Sequence, residues 1–327
     1  NRKSEAMIFK IPTVLMANEI IDKSLKKASK IEEPYNPIFE EKVRRENISR
    51  VAAIEGSACS HLDRLVKKFP GIERIHPFYE DLIDLSYGKD TYKESLSRVM
   101  WASNKIKNLA TESIRSIKKK RKAFQIVDER KKFYGRFCSV IDGIDKELIM
   151  LNSCRDFIRK LPEIDPEEWA FIISGLPNVG KSSLLSALSG TDEKVAPYPF
   201  TTQNVRIGHI QIGYQKVQLI DTPGILDRPM VERNEMERKA ILCLKDIKGS
   251  ILFLIDHSGT SGYSIDEQEN LYSEIKTNFM KHIIRIQTKS DISEKKENIA
   301  ISATNYTGID ELLKVMENEI HGTQNTY

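Results

Sequence analysis

Nothing in this chain is long and apolar enough to cross a bilayer: its longest apolar runs, such as residues 251–255, fall far short of the ~20 residues a membrane helix needs. No charged segment leads into an apolar core with a small-residue cleavage site, so a secretory signal is not expected. The first residue is Asn1 rather than Met, which makes Met7 the candidate start and residues 1–6 a processing remnant. Cysteine is scarce as well. Cys59, Cys138, Cys154 and Cys243 are widely scattered, show no CxxC spacing, and the six histidines do not cluster beside them. A disulfide framework and a structural zinc site are therefore not expected, and the thiols read as buried groups of a reducing, cytoplasmic protein. No internal repeat occurs, and the one biased tract is KKKRK at residues 118–122.

What is present is material for two cores. At 327 residues the chain exceeds the usual single-core size, and 40% hydrophobic with 30% charged residues describes a globular protein. Its charge is unevenly spread. Residues 1–160 hold 34 Lys and Arg against 23 Asp and Glu, whereas residues 161–327 hold 17 against 24, a swing from +11 to −7. A basic first half suits a polyanionic partner, and a solvated helical surface would be lysine-rich too.

The texture changes near Pro162 and Pro166, which no helix crosses. That predicts domains at residues 1–164 and 165–327. Before the break, apolar residues recur at spacings of three and four, as helices require. Val14, Leu15, Ile20, Ile21 and Leu25 form one face; Val43, Ile48, Val51, Ile54, Ala58, Leu62 and Leu65 form a second, ending at Pro70-Gly71. Leu82, Ile83 and Leu85 mark a short third helix, Thr91 is placed as the cap of a fourth, and one last long helix carries Ile126 through Ile158. This half is expected to be an all-α bundle of long helices. Beyond the break, strands are expected at residues 170–174, 205–212, 216–220, 251–255, 283–287 and 299–302, with helices at 181–189, about 232–245, 265–278 and 308–320. Such alternation predicts a doubly wound α/β domain with a mixed, mainly parallel sheet.

Four boxes sit on that frame in a set order. Residues 175–182 read GLPNVGKS, the pattern of a phosphate-binding loop that leaves a strand and opens a helix. Gly175 and Gly180 give the backbone freedom to wrap N–H groups round a phosphate, with Pro177, Asn178, Val179 and Ser183 in the same cradle. Lys181 is expected to reach the terminal phosphates, and Ser182 to place its hydroxyl on Mg2+. Asp221, in DTPG, ends a strand where its carboxylate reaches Mg2+ through water, and the Gly224 N–H is free to approach the γ-phosphate. In the TKSD box, Thr288 and Lys289 precede Asp291, whose carboxylate matches the ring N–H and exocyclic amine of guanine. Lys289 is expected along the base, and Ser302-Ala303 to meet the guanine carbonyl. Adenine offers no matching donors, so GTP and GDP are the expected ligands.

The run Tyr198-Pro199-Phe200-Thr201-Thr202 resembles the first switch of the Obg-type GTPases, where a threonine completes the Mg2+ shell; Thr201 and Thr202 both remain candidates. DTPGILDRPMVERNEME at residues 221–237 and HPFYEDLIDLSYGKDTY at residues 76–92 are similar to the second switch and the signature segment of the nucleolar GTP-binding protein (NOG) family. The chain resembles a minimal, archaeal-type member without the long C-terminal extension of eukaryotic ones. The resemblance implies GTP hydrolysis with Lys181, Thr201, Thr202, Gly224 and Asn178 in catalytic roles. It further implies work in large ribosomal subunit assembly, with the helical domain meeting rRNA or ribosomal proteins. It implies also that Asn178 holds K+, as in related GTPases, where the ion stabilises developing charge like an arginine finger.

Two departures qualify this. Ile225 stands where Ras-like proteins place the glutamine that orients the attacking water, so slow intrinsic hydrolysis is expected. Only seven residues, 292–298, separate TKSD from the last expected strand, too few for the usual crossover helix of ~10 residues or more. On the helical side, residues 118–122 with Arg115, Lys131, Lys132 and Arg136, interleaved by Phe124, Phe133 and Tyr134, suit RNA phosphates; a solvated helix end with core aromatics is the plain alternative. The expected chain is a monomer with a pre-ribosomal partner and no membrane contact. Two other classes stay open: a nucleotide-dependent binding switch that barely hydrolyses, and a membrane-associated GTPase, which lacks an amphipathic insertion segment here.

Overall fold

The computed structural model describes residues 11–189 and 193–324, so the expectation for residues 1–6 and Met7 lies outside the described residues. Among the described residues, six helices occupy the first half: α1 (Ala17–Ser29), α2 (Phe39–Lys68), α3 (Pro77–Tyr87), α4 (Lys89–Lys119), α5 (Ala123–Asp142) and α6 (Asp145–Lys160). The three-and-four spacing buries Val51, Ile54, Ala58, Leu62 and Leu65 along one stripe of α2. That helix ends at Phe69, which is extended because Pro70 follows it. Glu40 and Glu41 at its start and Lys67 and Lys68 at its end complement the helix dipole.

Two expectations give way here. Thr91 does not cap α4: Gly88 takes the N-cap, and Thr91 lies inside the helix, where its carbonyl accepts from the Ser95 hydroxyl at 2.9 Å. The single last helix is two. Gly143, a weak helix former, caps α5, and the chain restarts at Asp145. The restart gives the Asp145 carboxylate a task, since it accepts the Ala17 N–H at 3.2 Å and satisfies an orphan donor at the start of α1.

The chain divides into two compact units, and the division is not one cut. Helices α1, α2, α4, α5 and α6 form the first unit, while residues 75–86, nearly all of α3, cluster with the sheet-bearing unit. The break at Pro162 and Pro166 predicts that α3 belongs with the helical half. Contacts decide otherwise: Phe78, Leu82 and Ile83 are fully buried, and the Tyr79 hydroxyl donates to the Ile164 carbonyl.

The second unit has β1 (Ala170–Ser174), α7 (Lys181–Ser189), β2 (Lys194–Pro197), β3 (Asn204–Ile212), β4 (Gln215–Asp221), α8 (Glu235–Leu242), β5 (Gly249–Asp256), α9 (Ile265–Phe279), β6 (Ile283–Thr288) and α10 (Ile309–Gln324). Its six-stranded sheet runs β2-β3-β4-β1-β5-β6, with β1, β4, β5 and β6 parallel and the β2-β3-β4 ribbon antiparallel. The mixed, mainly parallel sheet predicted from sequence is therefore present. Every residue of β1 is buried, the mark of a strand covered on both faces. Asn234 and Ser264 cap α8 and α9 with their side chains, Ser264 in a capping box with Glu267. Strand β2 was not foreseen; it is a short edge strand closed by a proline. The strand expected at residues 299–302 is reduced to two isolated bridges, Gln287 with Ala300 and Ser302 with Thr307, and residues 289–299 contain turns but no helix.

Gly249 sits at φ 134°, and a Cβ there would come within 1.9 Å of the Ala170 carbonyl oxygen, where β5 begins beside β1. Gly135 lies inside α5 with nothing within 4 Å of the added atom. Gly249→Ala is expected to destabilise the fold by roughly 2–4 kcal/mol, and Gly135→Ala to stabilise it by about 0.5–1 kcal/mol. Urea unfolding of the two variants should move in opposite directions.

Candidate nucleotide-binding site

Parallel strands bring their C-terminal ends to one edge of a sheet, where α/β folds bind ligands. Here the register sets Ile173 beside Asp221, Ser174 beside Phe253, and Asp256 beside Thr288. The phosphate loop leaves β1 at this edge and enters α7. Gly175 adopts φ 139° with its Cα pressed on Leu254, where a Cβ would lie 2.7 Å from the carbonyl oxygen. Asn178 takes the left-handed conformation at φ 62°, which asparagine tolerates. Lys181 is 6% exposed, and its ammonium donates to the Gly175 and Leu176 carbonyls, both at 2.9 Å. Burial pushes its pKa below the usual lysine value, against the pull of Asp227 and Asp221.

The Ser182 hydroxyl donates to Asp221 Oδ2 at 2.9 Å. Asp221 is fully buried; its Oδ1 has no hydrogen-bond partner among the described residues, and burial raises its pKa, with the Ser182 bond acting the other way. A hydroxyl beside a carboxylate oxygen with spare lone pairs is the donor set of a small, hard divalent cation, so these residues fit Mg2+. Thr222 is held by its hydroxyl to the Ile173 carbonyl at 2.9 Å. Next to it, Ile225 is fully buried, so the position where an orienting glutamine was sought belongs to the core.

The two threonines of residues 198–202 behave differently. The Thr201 hydroxyl bonds within its own turn, donating to Tyr198 and Gln203 carbonyls at 3.0 and 3.2 Å. Thr202 is exposed, and its hydroxyl accepts from the Gln203 side-chain amide at 3.5 Å. Tyr198 anchors the segment: it is 1% exposed and its hydroxyl donates to the Ala240 carbonyl of α8 at 2.8 Å.

On the far side of the loop, Gly180, Ser183, Lys289, Asp291, Ser302 and Ala303 line a cavity of about 220 Å³. Residues from the first, third and fourth boxes thus share one hollow. Asp291 is exposed at its rim. Lys289, at φ 54°, donates to Asp256 Oδ2 at 2.8 Å and Thr260 Oγ1 at 2.7 Å. The Ser302 hydroxyl accepts the Asn305 N–H at 3.2 Å, fixing the turn that carries Ala303.

Three residues of this edge were not singled out from sequence. Asp256 ends β5 and accepts from Lys289, from the Ser258 N–H and hydroxyl and from the Ser261 N–H. Burial alone would raise its pKa, but those donors hold it down to about 2. Asp227 accepts the Gly224 N–H at 2.6 Å, and Arg233, its side chain fully buried, donates to the Gly224 carbonyl at 3.0 Å. The available signal was an aspartate closing an apolar strand, and acidic and basic residues dense after DTPG.

In the helical unit, residues 118–122 lie at the α4–α5 junction, and Arg44 donates to the Lys120 carbonyl at 2.9 Å. Of the interleaved aromatics, Phe124 is exposed and Tyr134 lies under Arg130, whereas Phe133 is 2% exposed and stacks on Phe137. Phe133 belongs to the core and not to an RNA-facing surface. Cys59, Cys154 and Cys243 are buried and Cys138 half-buried, all as free thiols. Among the described residues no helix is long and apolar enough to cross a membrane.

A P-loop entering a helix at the carboxyl edge of a mixed sheet, with the DTPG and TKSD boxes on neighbouring strands, defines the P-loop GTPase class. Comparison with known proteins agrees: the 50S ribosome-binding GTPase family matches residues 170–292, and the NOG1 N-terminal helical domain matches residues 9–165. An uncharacterized protein of Methanocaldococcus jannaschii is 34% identical over 88% of this chain and 81% of its own length. Nucleolar GTP-binding protein 1 of Encephalitozoon cuniculi is 36% identical over 86% of this chain and 54% of its own, and that of Arabidopsis thaliana 35% identical over 79% and 39%. The chain belongs to the nucleolar GTP-binding protein (NOG) family. It spans about half the length of the nucleolar relatives it matches.

The depressed pKa of Asp256 has a stability consequence. Its contribution is present in full above the ordinary carboxylate value of 3.8 and is lost as pH falls toward about 2. Against Asp256→Asn, the parent should lose about 2 kcal/mol of its advantage between pH 5 and pH 2. Denaturant unfolding across that range measures it.

Proposed function

We propose that this chain binds GTP in preference to ATP and hydrolyses it slowly, as a molecular switch in assembly of the large ribosomal subunit. One observation carries the nucleotide half of the reading: residues of the first, third and fourth boxes line a single cavity beside the phosphate loop. Asp291 supplies the paired acceptor that guanine needs, and the turn at Ser302 presents the Ala303 backbone to the carbonyl edge of the base. Lys289, braced by Asp256, lies against the ring. The N–H groups of residues 178–183 cradle the phosphates at the start of α7.

Bound Mg2+ draws negative charge off the phosphate oxygens. Ser182 and Asp221 would hold it, Asp221 through water, with a switch threonine completing the shell. Thr202 is the better supported of the pair, because its hydroxyl is exposed while that of Thr201 is spent on its own turn. Lys181 swings from its two carbonyls onto the terminal phosphates, and the Gly224 N–H approaches the γ-phosphate. Asn178, held at positive φ on the loop, is the residue for K+. Slow intrinsic turnover follows from Ile225, whose buried side chain cannot orient a water.

The ribosomal half rests on family membership. The matching family is described as a 50S ribosome-binding GTPase, and several relatives carry the name nucleolar GTP-binding protein 1. The helical unit, with its basic α4–α5 junction, is the surface assigned to rRNA phosphates. GTP orders residues 198–202 and 224–235 through its γ-phosphate. Co-sedimentation with pre-ribosomal large subunits is expected to differ between a GTP analogue and GDP; equal binding would sink the switch.

Ile225 also favours a second reading, a binding switch with negligible hydrolysis. Single-turnover phosphate release separates the two: a cation-assisted GTPase should run roughly ten- to a hundredfold faster in K+ than in Na+, and Asn178→Ala should remove that difference. On the base side, Asp291→Asn should weaken GTP binding by about a hundredfold through the loss of charged hydrogen bonds. The same variant should gain affinity for xanthosine triphosphate, whose carbonyl at the amine position accepts from the new amide. Equilibrium titration with both nucleotides checks this.

A further inference from the structure

The two groups assigned to the terminal phosphate of GTP, the Lys181 ammonium and the Gly224 N–H, already face one side chain. Asp227 Oδ2 accepts the Gly224 N–H at 2.6 Å and lies 4.0 Å from Lys181 Nζ. Its Oδ1 lies 3.9 Å from Arg233 Nη2. Asp227 is 8% exposed, and the Arg233 side chain is fully buried. An ammonium, a backbone N–H and a guanidinium thus converge on one carboxylate, the donor set that otherwise receives a phosphoryl oxygen.

We propose that Asp227 is a specificity-determining residue that sets the preference between GTP and GDP, because its carboxylate holds the γ-phosphate contacts and a triphosphate binds only by displacing it. The proposal rests on the reading of the site as a guanine-nucleotide site. Two anionic groups in van der Waals contact at a buried site repel strongly, so the cluster accepts one of them at a time. A diphosphate ends before the Gly224 N–H and leaves its bond to Asp227 intact. A triphosphate must break the short bond to Gly224 and relocate a buried carboxylate. The carboxylate therefore lowers affinity for GTP and leaves that for GDP alone.

Displacement has an outlet. Arg233 donates to the Gly224 carbonyl at 3.0 Å and to Glu237 Oε1, on the first turn of α8, at 3.4 Å. Glu237 also accepts from Arg228 at 3.1 Å. Release of Asp227 removes one of the two carboxylates that balance Arg233, and the guanidinium must find its compensation from Glu237. The γ-phosphate is thereby read by the start of α8, the helix whose Ala240 carbonyl anchors Tyr198 of the first switch.

A plainer role is that Asp227 merely closes the turn onto Gly224. The two roles separate by charge, since Asn keeps an acceptor for the Gly224 N–H and loses the negative charge. The experiment is equilibrium titration of the full chain, and of its Asp227→Asn and Asp227→Ala variants, with fluorescent GDP and a non-hydrolysable GTP analogue in Mg2+. Thermal melts check that both variants fold. The expected result is GDP affinity within about twofold of the parent, with the GTP analogue bound about ten- to a hundredfold more tightly by both variants, the worth of one charge-assisted bond. An unchanged ratio of the two affinities, or weaker binding of the GTP analogue, overturns the proposal while leaving the nucleotide site intact. Failure of the parent chain to bind either guanine nucleotide overturns the site reading itself, and this proposal with it.

Discussion

Everything at the nucleotide edge depends on the placement of β1 between two parallel neighbours. Its five buried residues pair with β5 on one side, and Ala170 to Ile173 pair with β4 on the other, all running the same way. Parallel pairing is what makes separate strands end together. It sets Asp221 level with Ile173, where it meets Ser182 on the first turn of α7. A slip of one residue would turn the Asp221 carboxylate to the opposite face of the sheet. Gly249 guards the same alignment, because β5 begins so close to the Ala170 carbonyl that no side chain fits between.

Around that edge the buried charges fall into two groups with different degrees of satisfaction. On the base side, Asp256 is surrounded by Lys289 and by Ser258, Thr260 and Ser261, and its carboxyl stays ionised well below the ordinary range. A fully bonded carboxylate of this kind makes a rigid brace. On the phosphate side satisfaction is incomplete. Asp221 Oδ1 and Arg233 Nε have no hydrogen-bond partner among the described residues, and Lys181 leans on carbonyls rather than on a close carboxylate. Buried polar groups are costly when unpaired, so this side gains most from an incoming anion and cation. The asymmetry matches a site that grips the base and responds to the phosphates.

Long helices with a strict apolar stripe, such as α2, were legible in the sequence because their period is local and repeated. Breaks in that pattern were not. Nothing in the spacing of Phe137, Ile141, Ile144 and Leu148 announces that α5 stops at Asp142 and α6 starts at Asp145; all four are buried, the break falls at Gly143, and the restart lets Asp145 accept the distant N–H of Ala17. Nor did proximity in sequence reveal that α3 clusters with the sheet-bearing unit. Phe133 is a related case: beside lysines it reads as part of a basic, aromatic surface, yet its position four residues before the buried Phe137, on the same helix face, turns it into the core.

The sequence by itself determined the class of the protein and the identity of its phosphate loop, since a P-loop works through the backbone of eight consecutive residues and the helix that follows them. It also determined that Ile225 offers no polar atom to a water. Tertiary structure decided what the separated residues do together: that Lys289 is braced by Asp256, that Ser182 faces Asp221, and that Asp227 lies between Lys181 and Gly224. The physical reason is range. Backbone conformation and helical period are written into neighbouring residues, whereas the pairing of buried charges depends on strand register and on which face of each turn points inward, and these are settled only when the sheet is assembled.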